Sequence, residues 1–313
     1  MRILILGGAG MLGRKLYERL ERGDCDLSRA QVMLADVGFP PGIAGHVIDL
    51  SQPGAVDTLI AERPDVIFHL AAVVSGEAED DLAKGYRVNL DGTRNLLDAV
   101  RAVGGRYRPR IVFTSSIAVF GAPFPDVIDD HQAAMPLTSY GTQKAVAELL
   151  LNDYSRRGFL DGVGIRLPTI CVRPGAPNRA ASGFFSSIIR EPLQGREAIL
   201  PVSTDVRHWF ASPRAAVEQL LRAATLDSRL LGERRCLTMP GLSATVAEQI
   251  AALRRVAGDG AVVLIRHAPD EAIARIVAGW PRAFDTRRAH ELGFAAEQSF
   301  DEIVRVHLED DAA

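Results

Sequence analysis

Short apolar runs alternate with helical patterns along the first 170 residues of the chain. The amphipathic helical patterns cover residues 11–22, 86–103 and 140–157. The apolar runs between them are RILIL, QVMLAD, VIFHLAA, RIVFTSS and GIRLPTI. Runs of this length separated by helices are typical of βαβ units, in which helices cover both faces of a parallel sheet. The pattern therefore predicts an α/β fold with a doubly wound parallel sheet.

The pattern changes after about residue 170. Pro174, Gly175, Pro177 and Gly183 mark a loop. Helical patterns follow near residues 182–190, 213–226, 244–257, 269–278 and 300–309, with short strands near 234–239 and 261–266. We predict two parts, residues 1–169 and a smaller, mostly helical C-terminal part at residues 170–313. We expect segments near 206–226 and 234–266 to pack back on the first part.

The composition is that of an ordinary soluble globular protein, with 47% hydrophobic and 24% charged residues. A net charge of −3 provides no electrostatic basis for binding nucleic acid or an anionic membrane. Cys25, Cys171 and Cys236 are isolated, and the seven histidines show no metal-ligand spacing, so neither a disulfide framework nor a metal site is predicted. The opening apolar run ends too early for a signal peptide, and no stretch approaches membrane-spanning length. These features indicate a cytoplasmic enzyme or binding protein whose partner is a small molecule.

A glycine-rich turn joins the first strand to the first helix in RILILGGAGMLGRKLYERL. Gly7 permits a tight turn, Gly10 lets the backbone approach a pyrophosphate, and Gly13 lets the helix lie close to the strand. Met11 and Leu12 begin the helix and belong to the same predicted cofactor site. In this context the turn predicts a dinucleotide-binding loop of the Rossmann type.

Asp36 ends the second strand, at the distance from the glycines that a ribose-binding carboxylate requires. Its charge would accept ribose hydroxyls and repel a 2′-phosphate, and no arginine follows in VGFPPG. NAD is therefore predicted over NADP. For this single residue, a solvated aspartate at a strand end remains the alternative.

Tyr140 and Lys144 are four residues apart at the start of a helix, so their polar groups can converge on one point. Such a pair is a candidate acid–base device. By itself the spacing favours the simpler interpretation, a tyrosine at a helix start with a solvated lysine one turn later.

Seven landmarks occur in a definite order along the chain. They are GGAGMLG at 7–13, Asp36, the pair Asp49 and Leu50, HLAA at 69–72, NLDGT at 89–93, TSSIAVFG at 114–121 and SYGTQK at 139–144. In this order they resemble extended short-chain dehydrogenase/reductases, the family of NAD-dependent epimerases and dehydratases. The resemblance covers almost all of the nucleotide-binding half. It implies a Rossmann-type NAD-binding domain at residues 1–169 and a C-terminal part that binds the substrate.

The same resemblance implies roles for three residues. Tyr140 is expected to be the general acid–base, and Lys144 to bind the nicotinamide ribose and lower the tyrosine pKa. Ser116 is expected to hydrogen-bond the reacting oxygen. Because successive residues of a strand face opposite sides, Ser115 would then be a structural hydroxyl.

Further cofactor contacts are implied by position in the family pattern. Asp49 and Leu50 should border the adenine, and Pro168 and Thr169 should contact the nicotinamide carboxamide. Leu70, Ala71 and Ala72 should let the cofactor pass close to the end of the fourth strand. Asn89 should hold a backbone carbonyl or a water near Lys144, unless it bonds only within its own helix.

The two residues directly after Ser116 reduce the number of candidate reactions. Sugar dehydratases of the family carry an Asp-Glu pair where Ile117 and Ala118 stand here, so oxidation or epimerisation is favoured. The segments 166–195 and 206–219 are most similar to a subgroup that oxidises a four-carbon sugar acid, D-erythronate. The rival activity is that of a nucleotide-sugar 4-epimerase or reductase.

Two arginines are candidates for binding the substrate anion. Arg173 and Arg207 each carry a planar fork that suits a carboxylate or a pyrophosphate. Ser75, Asn178 and Trp209 complete the predicted substrate site, although each residue could serve only packing or a surface loop.

Two further interpretations stay open. A non-enzymatic dinucleotide sensor is disfavoured because binding alone does not require an acid–base tyrosine. The helix at residues 140–157 is apolar nearly all round, which predicts a homodimer interface unless the C-terminal part covers it.

Overall fold

Twelve strands and thirteen α-helices are formed by the residues that the computed structural model describes, 1–27, 29–175 and 182–311. The strands are β1 Arg2–Leu6, β2 Gln31–Asp36, β3 His46–Val47, β4 Val66–His69, β5 Arg110–Ser116, β6 Asp161–Leu167, β7 Thr169–Ile170, β8 Ala198–Leu200, β9 Arg207–Ala211, β10 Cys236–Thr238, β11 Leu242–Thr245 and β12 Ile265–His267. The first helices are α1 Met11–Glu21, α2 Asp57–Ala61, α3 Ser75–Asp80, α4 Leu82–Gly85, α5 Gly92–Val103 and α6 Ser139–Arg156. The others are α7 Gly183–Leu193, α8 Pro213–Thr225, α9 Val246–Ala257, α10 Asp259–Val262, α11 Glu271–Ala278, α12 Arg287–Glu291 and α13 Phe300–Asp311.

The central sheet has the strand order β10-β6-β5-β4-β1-β2-β3, and every neighbouring pair is parallel. All four residues of β4 are buried, because helices cover both faces of the sheet. The chain starts in the middle at β1, builds outward to β3, and then returns to β4 on the other side of β1. The predicted doubly wound α/β fold is confirmed, and such a reversal opens a crevice at the carboxyl ends of the strands.

The C-terminal part contains the five predicted helices and, in addition, two small sheets. One sheet has the order β11-β9-β7, and the other pairs β12 with β8. The segment predicted as a strand near 261–266 begins as α10 and becomes β12 only at Ile265. Strands of three to five residues depend on their pairing partners for stability, which explains why the sequence pattern did not predict β8, β9 and β11.

Residues on both sides of position 170 build the part of the molecule that surrounds the central sheet. Strand β10 extends the central sheet by pairing with β6, and α8 packs in the same apolar cluster as α1. A second cluster lies in the C-terminal part and includes Phe185, Phe210 and Phe300. Among the described helices, none is both long and apolar enough to cross a membrane.

Helix α6 comes unusually close to the end of β5. A Cβ atom placed on Gly141 would lie 2.1 Å from the backbone oxygen of Ala118, in the 3₁₀ turn that follows Ser116. The helix starts at this point because the Thr138 hydroxyl accepts a hydrogen bond from the Gly141 amide at 3.1 Å. The absence of a side chain at Gly141 therefore sets the distance between Ser116 and Tyr140.

Replacing Gly141 tests this close approach. In Gly141→Ala the new methyl group meets a backbone oxygen that cannot rotate away, so we expect the free energy of unfolding to fall by about 1–3 kcal/mol. Gly92→Ala is the matched control, because its Cβ would lie 3.5 Å from the nearest atoms of Leu50 and is accommodated without displacement. Urea unfolding of both variants measures the difference, and equal stabilities would contradict the steric argument.

Candidate active site

One cleft of about 440 Å³ runs along the carboxyl ends of β1, β4, β5 and β6. Its wall starts at the glycine turn, passes the ends of the strands, and reaches Trp280 in the C-terminal part. Of the predicted cofactor residues, those on the cleft wall are Gly7, Gly10, Met11, Leu12, Gly13, Leu70, Ala72, Tyr140, Lys144, Pro168 and Thr169. The cleft therefore brings together residues from distant segments of the chain.

The glycine turn is packed so closely that side chains would not fit. Gly7 has a φ of +89°, and a Cβ on it would lie 2.7 Å from the Ala71 amide nitrogen. A Cβ on Gly13 would lie 2.2 Å from the Gly7 oxygen. The backbone is thus open to the cleft just where α1 begins, and this arrangement fits the phosphates of a dinucleotide.

Asp36 is held against the glycine turn. Its carboxylate accepts hydrogen bonds from the amides of Ala9, at 2.9 Å, and Val37, at 2.7 Å. Asp49 accepts a hydrogen bond from the Ser51 amide at 3.0 Å, and Leu50 is buried. These residues, together with Ala71 and Asn89, stand behind or beside the cleft wall and do not form it.

Asn89 holds the loop that follows β4. Its side chain accepts from the Val73 amide at 2.9 Å and donates to the Val73 carbonyl at 3.2 Å. It also donates to Gln143, the residue before Lys144, at 2.7 Å. Asn89 lies in a π-helical turn, Tyr86–Asp91, whose wider spacing is common at functional sites. Its hydrogen bonds reach outside its own helix, to the backbone of a residue on the cleft wall.

Ser116, Tyr140 and Lys144 meet on the cleft wall. The Lys144 side chain is almost fully buried, and its Nζ atom donates to the Thr114 carbonyl at 2.8 Å. The same Nζ lies 5.7 Å from the centre of the Tyr140 ring. Helical spacing brings Tyr140 and Lys144 together, and the end of β5 supplies Ser116.

Burial determines the direction of the pKa shifts of Tyr140 and Lys144. Burial raises the pKa of Tyr140 to about 12, against the opposing effects of the Arg173 charge and a hydrogen bond with Ser116. Burial also lowers the pKa of Lys144 to about 7, although the Glu148 carboxylate opposes this shift. In the protein chain alone, the loss of hydration outweighs the neighbouring charges. The lowering expected from Lys144 together with the charge of a bound nicotinamide concerns the cofactor-bound protein and stays a prediction.

Ser115 also lies on the cleft wall, but its hydroxyl is engaged by another side chain. Its hydroxyl donates to the Glu148 carboxylate at 2.5 Å, and Arg166 holds the same carboxylate through two nitrogens, at 2.9 and 2.7 Å. Glu148 is one helical turn beyond Lys144 on the buried face of α6. The four-residue spacing of Lys144 and Glu148 is the sequence signal for this contact, and the motifs alone do not predict it.

The predicted substrate residues are not all brought into the cleft. Ser75 and Arg173 lie on its wall. Arg207 is 39% exposed and pairs with Glu248 at 3.3 Å, whereas the Trp209 indole is buried and donates to the Met239 carbonyl at 3.2 Å. Arg207 and Trp209 therefore do not line the cleft, and Asn178 lies outside the described residues.

Alternation along β9 explains this correction. Arg207 and Trp209 flank His208, and successive side chains of a strand face opposite sides, so His208 is the residue that reaches the cleft. Sequence reasoning also missed Arg190 and Trp280, which lie on the cleft wall. An arginine inside the apolar helix sequence FFSSIIREPL was the available signal for Arg190.

Arg173 is anchored rather than free. Its guanidinium donates to the Ile170 carbonyl at 3.1 Å and to the Ser182 hydroxyl at 3.2 Å. Its own carbonyl accepts from Arg190 at 2.7 Å, and the buried Arg190 forms an ion pair with Glu191 at 2.6 Å. These contacts fix a cation in the same cleft as the Tyr140 phenol.

Comparisons with known proteins identify the family. Residues 3–224 match the model of the NAD dependent epimerase/dehydratase family. The chain is 47% identical to a D-erythronate dehydrogenase of Cupriavidus necator over 99% of this chain and 98% of that protein, and 41% identical to one of Haemophilus influenzae over 99% and 100%. A crystal structure described as a nucleoside-diphosphate-sugar epimerase from Agrobacterium tumefaciens is 59% identical, with a TM-score of 0.94 over all of this chain and 94% of that one. The chain therefore belongs to the NAD-dependent epimerase/dehydratase family and is an NAD-dependent dehydrogenase.

Proposed function

We propose that the protein oxidises a hydroxyl group of a small sugar acid, with the conversion of D-erythronate to its 2-oxo acid as the favoured reaction. The observation that carries the proposal is the anchored guanidinium of Arg173 in the cleft that also contains Ser116 and Tyr140. A guanidinium fork binds a carboxylate at two points and so fixes the position of the adjacent carbon. The activity of the two dehydrogenase relatives supports the same substrate class.

Each of the three central residues has a role in this proposal. Tyr140 takes the proton from the substrate hydroxyl, and Ser116 hydrogen-bonds the same oxygen. Lys144 binds the nicotinamide ribose and places its charge beside the phenol. Bound NAD supplies the acceptor for the hydride that leaves the carbon.

We assign the remaining cofactor contacts by their position in the family pattern. The turn at Gly7, Gly10 and Gly13 would hold the phosphates, and Asp36 would bind the adenosine ribose. Pro168 and Thr169 would contact the carboxamide. Asp49 and Leu50 would border the adenine beyond the cleft wall.

Loss of the Tyr140 hydroxyl should remove most turnover. In Tyr140→Phe the proton acceptor is absent while the ring remains, so we expect kcat for D-erythronate oxidation to fall by about 10²- to 10⁴-fold. Tyr154→Phe, on the same helix, is the matched control, since its hydroxyl donates to Asp98 and lies outside the cleft wall. Assays that follow NADH absorbance measure both variants.

The pH dependence gives a second readout for the same residue. The base form of Tyr140 is the phenolate, and a pKa of about 12 makes it scarce at neutral pH. Oxidation should therefore speed up as pH rises through the alkaline range, and Tyr140→Phe should lose this dependence. A Tyr140→Phe enzyme with near-normal turnover would refute the role of the phenol.

Substitution of Arg173 tests the carboxylate contact. A lysine keeps the charge but loses the two-point geometry, so Arg173→Lys should lower kcat/KM for D-erythronate roughly ten- to a hundredfold, as expected for a lost charge-assisted hydrogen bond of about 1.5–3 kcal/mol. Arg207→Lys is the matched control because Arg207 pairs with Glu248 outside the cleft. Equal effects of the two substitutions would contradict the assignment.

A nucleotide-sugar epimerase is the second candidate, favoured by the description of the A. tumefaciens structure. The ligand sets of the two activities differ. Under our proposal four-carbon sugar acids raise the melting temperature of the NAD-bound protein by mass action and UDP- or dTDP-sugars do not. Stabilisation by nucleotide sugars alone, with no NADH formed from any sugar acid, would replace our proposal by the epimerase.

We also propose a homodimer that uses α6. Leu149 of this helix is 71% exposed, so the described part of the same chain does not cover it. An exposed apolar helix face is typical of a subunit interface.

The interface is tested by placing a charge on it. Leu149→Glu should shift the protein from dimer to monomer in sedimentation velocity, because an unpaired carboxylate opposes burial. Val263→Glu is the control. Val263 is exposed to a similar degree, at 77%, but it lies at the C-terminal end of α10 and not on α6. A wild-type protein that sediments as a monomer would exclude the dimer.

A further inference from the structure

His208 and Thr169 meet where the C-terminal part closes the cleft. Strands β7 and β9 run side by side, and both side chains reach the cleft wall. The Thr169 hydroxyl oxygen lies 2.7 Å from Nε2 of His208. The other ring nitrogen, Nδ1, lies 3.0 Å from the backbone oxygen of Pro281.

The direction of both hydrogen bonds follows from the chemistry of the partners. A carbonyl oxygen can only accept, so Nδ1 of His208 carries the proton that is donated to Pro281. The ring is buried, which lowers the pKa of His208 to about 4, so it is neutral near pH 7. Nε2 of the neutral ring then carries no proton and can only accept a hydrogen bond, so the Thr169 hydroxyl must be the donor.

Aromatic packing prevents the ring from reversing this arrangement. His208 stacks on Phe185 with ring centres 5.4 Å apart and an angle of 6° between the planes. Phe210 meets it edge-on at 5.4 Å, and Trp280 lies at 5.1 Å. A flipped ring would place carbon atoms against both the Pro281 carbonyl and the Thr169 hydroxyl, losing two buried hydrogen bonds.

The hydroxyl proton of Thr169 is therefore used in the hydrogen bond to His208. Only the oxygen lone pairs of this hydroxyl remain for a ligand in the cleft. The site accepts an N–H or O–H donor at this position, whereas a carbonyl oxygen or a methyl group leaves the lone pairs unpaired.

We propose that His208 is a positioning residue that makes Thr169 an obligate hydrogen-bond acceptor and thereby selects the amino group of the nicotinamide carboxamide. This inference rests on the proposed contact between Thr169 and the carboxamide. The selection fixes which way the carboxamide is turned, and with it the orientation of the nicotinamide ring over the substrate.

Two analogues of NAD separate the amino group from the carbonyl. In 3-acetylpyridine adenine dinucleotide a methyl group replaces the amino group, whereas thionicotinamide adenine dinucleotide keeps the amino group and changes only the carbonyl oxygen. Dissociation constants are measured by calorimetry without any sugar acid. We expect the wild-type protein to bind NAD about two- to tenfold more tightly than the acetylpyridine analogue, the range of one hydrogen bond. The thio analogue should bind about as well as NAD.

Variants of the two residues test their coupling. His208→Phe keeps an aromatic ring between Phe185 and Trp280 but frees the Thr169 hydroxyl to donate to the acetyl oxygen, so the preference for NAD should fall towards one. His208→Gln should restore it, because the glutamine oxygen can accept from Thr169 while its amide donates to Pro281. Thr169→Val should abolish the preference, and adding His208→Phe to it should have no further effect.

The outcomes are distinct from those of the proposed reaction. A preference that is unchanged in His208→Phe, or absent in the wild-type protein, overturns the inference even if D-erythronate is oxidised. Loss of the preference in His208→Phe with recovery in His208→Gln supports it even if another substrate is found. Should His208→Phe fail to fold, Thr169→Ser and Thr169→Val decide, because only the serine variant keeps the hydroxyl and should keep the preference.

Discussion

The buried carboxylate of Glu148 links α6 to β5 and β6, three of the elements that form the cleft. Glu148 on α6 accepts from Ser115 of β5 and pairs through two hydrogen bonds with Arg166 of β6. Breaking a buried pair of this kind by removing one partner costs about 3–5 kcal/mol, because a charge is left without compensation. The positions of Ser116 at the end of β5 and of Lys144 one turn before Glu148 depend on this contact, and Gly141 permits the approach that it requires.

Burial dominates the electrostatics of the cleft. It disfavours the phenolate of Tyr140 and the ammonium of Lys144 at the same time, so the pKa of the first rises and that of the second falls. Burial lowers the pKa of Arg173 as well, but its guanidinium keeps fixed hydrogen bonds to Ile170 and Ser182 on the cleft wall. The protein therefore offers a substrate anion the anchored guanidinium of Arg173 close to a phenol that holds its proton.

The C-terminal part forms one side of the cleft and also supplies hydrogen-bonding groups to it. Its strand β9 presents His208 to the cleft and directs Arg207 and Trp209 elsewhere, and Pro281 sets which nitrogen of His208 carries the proton. In this way the backbone carbonyl of Pro281 determines the hydrogen-bonding capacity of Thr169, which lies far earlier in the chain. Pro281 can determine the tautomer of His208 because the aromatic cluster around Phe185 holds the imidazole ring in one orientation.

The sequence by itself determined the features that depend on local periodicity. Alternating apolar runs and helices predicted the parallel sheet, the spacing of Gly7, Gly10 and Gly13 predicted the turn, and helical spacing placed Tyr140 beside Lys144. The tertiary structure decided everything that depends on which distant surfaces meet. It placed His208 rather than its neighbours in the cleft, added Arg190 and Trp280, and buried Tyr140 so that its pKa rises in the protein chain alone. The physical reason is that facing direction in a five-residue strand and loss of hydration in a cleft are set by contacts between segments, and no pattern within one segment contains them.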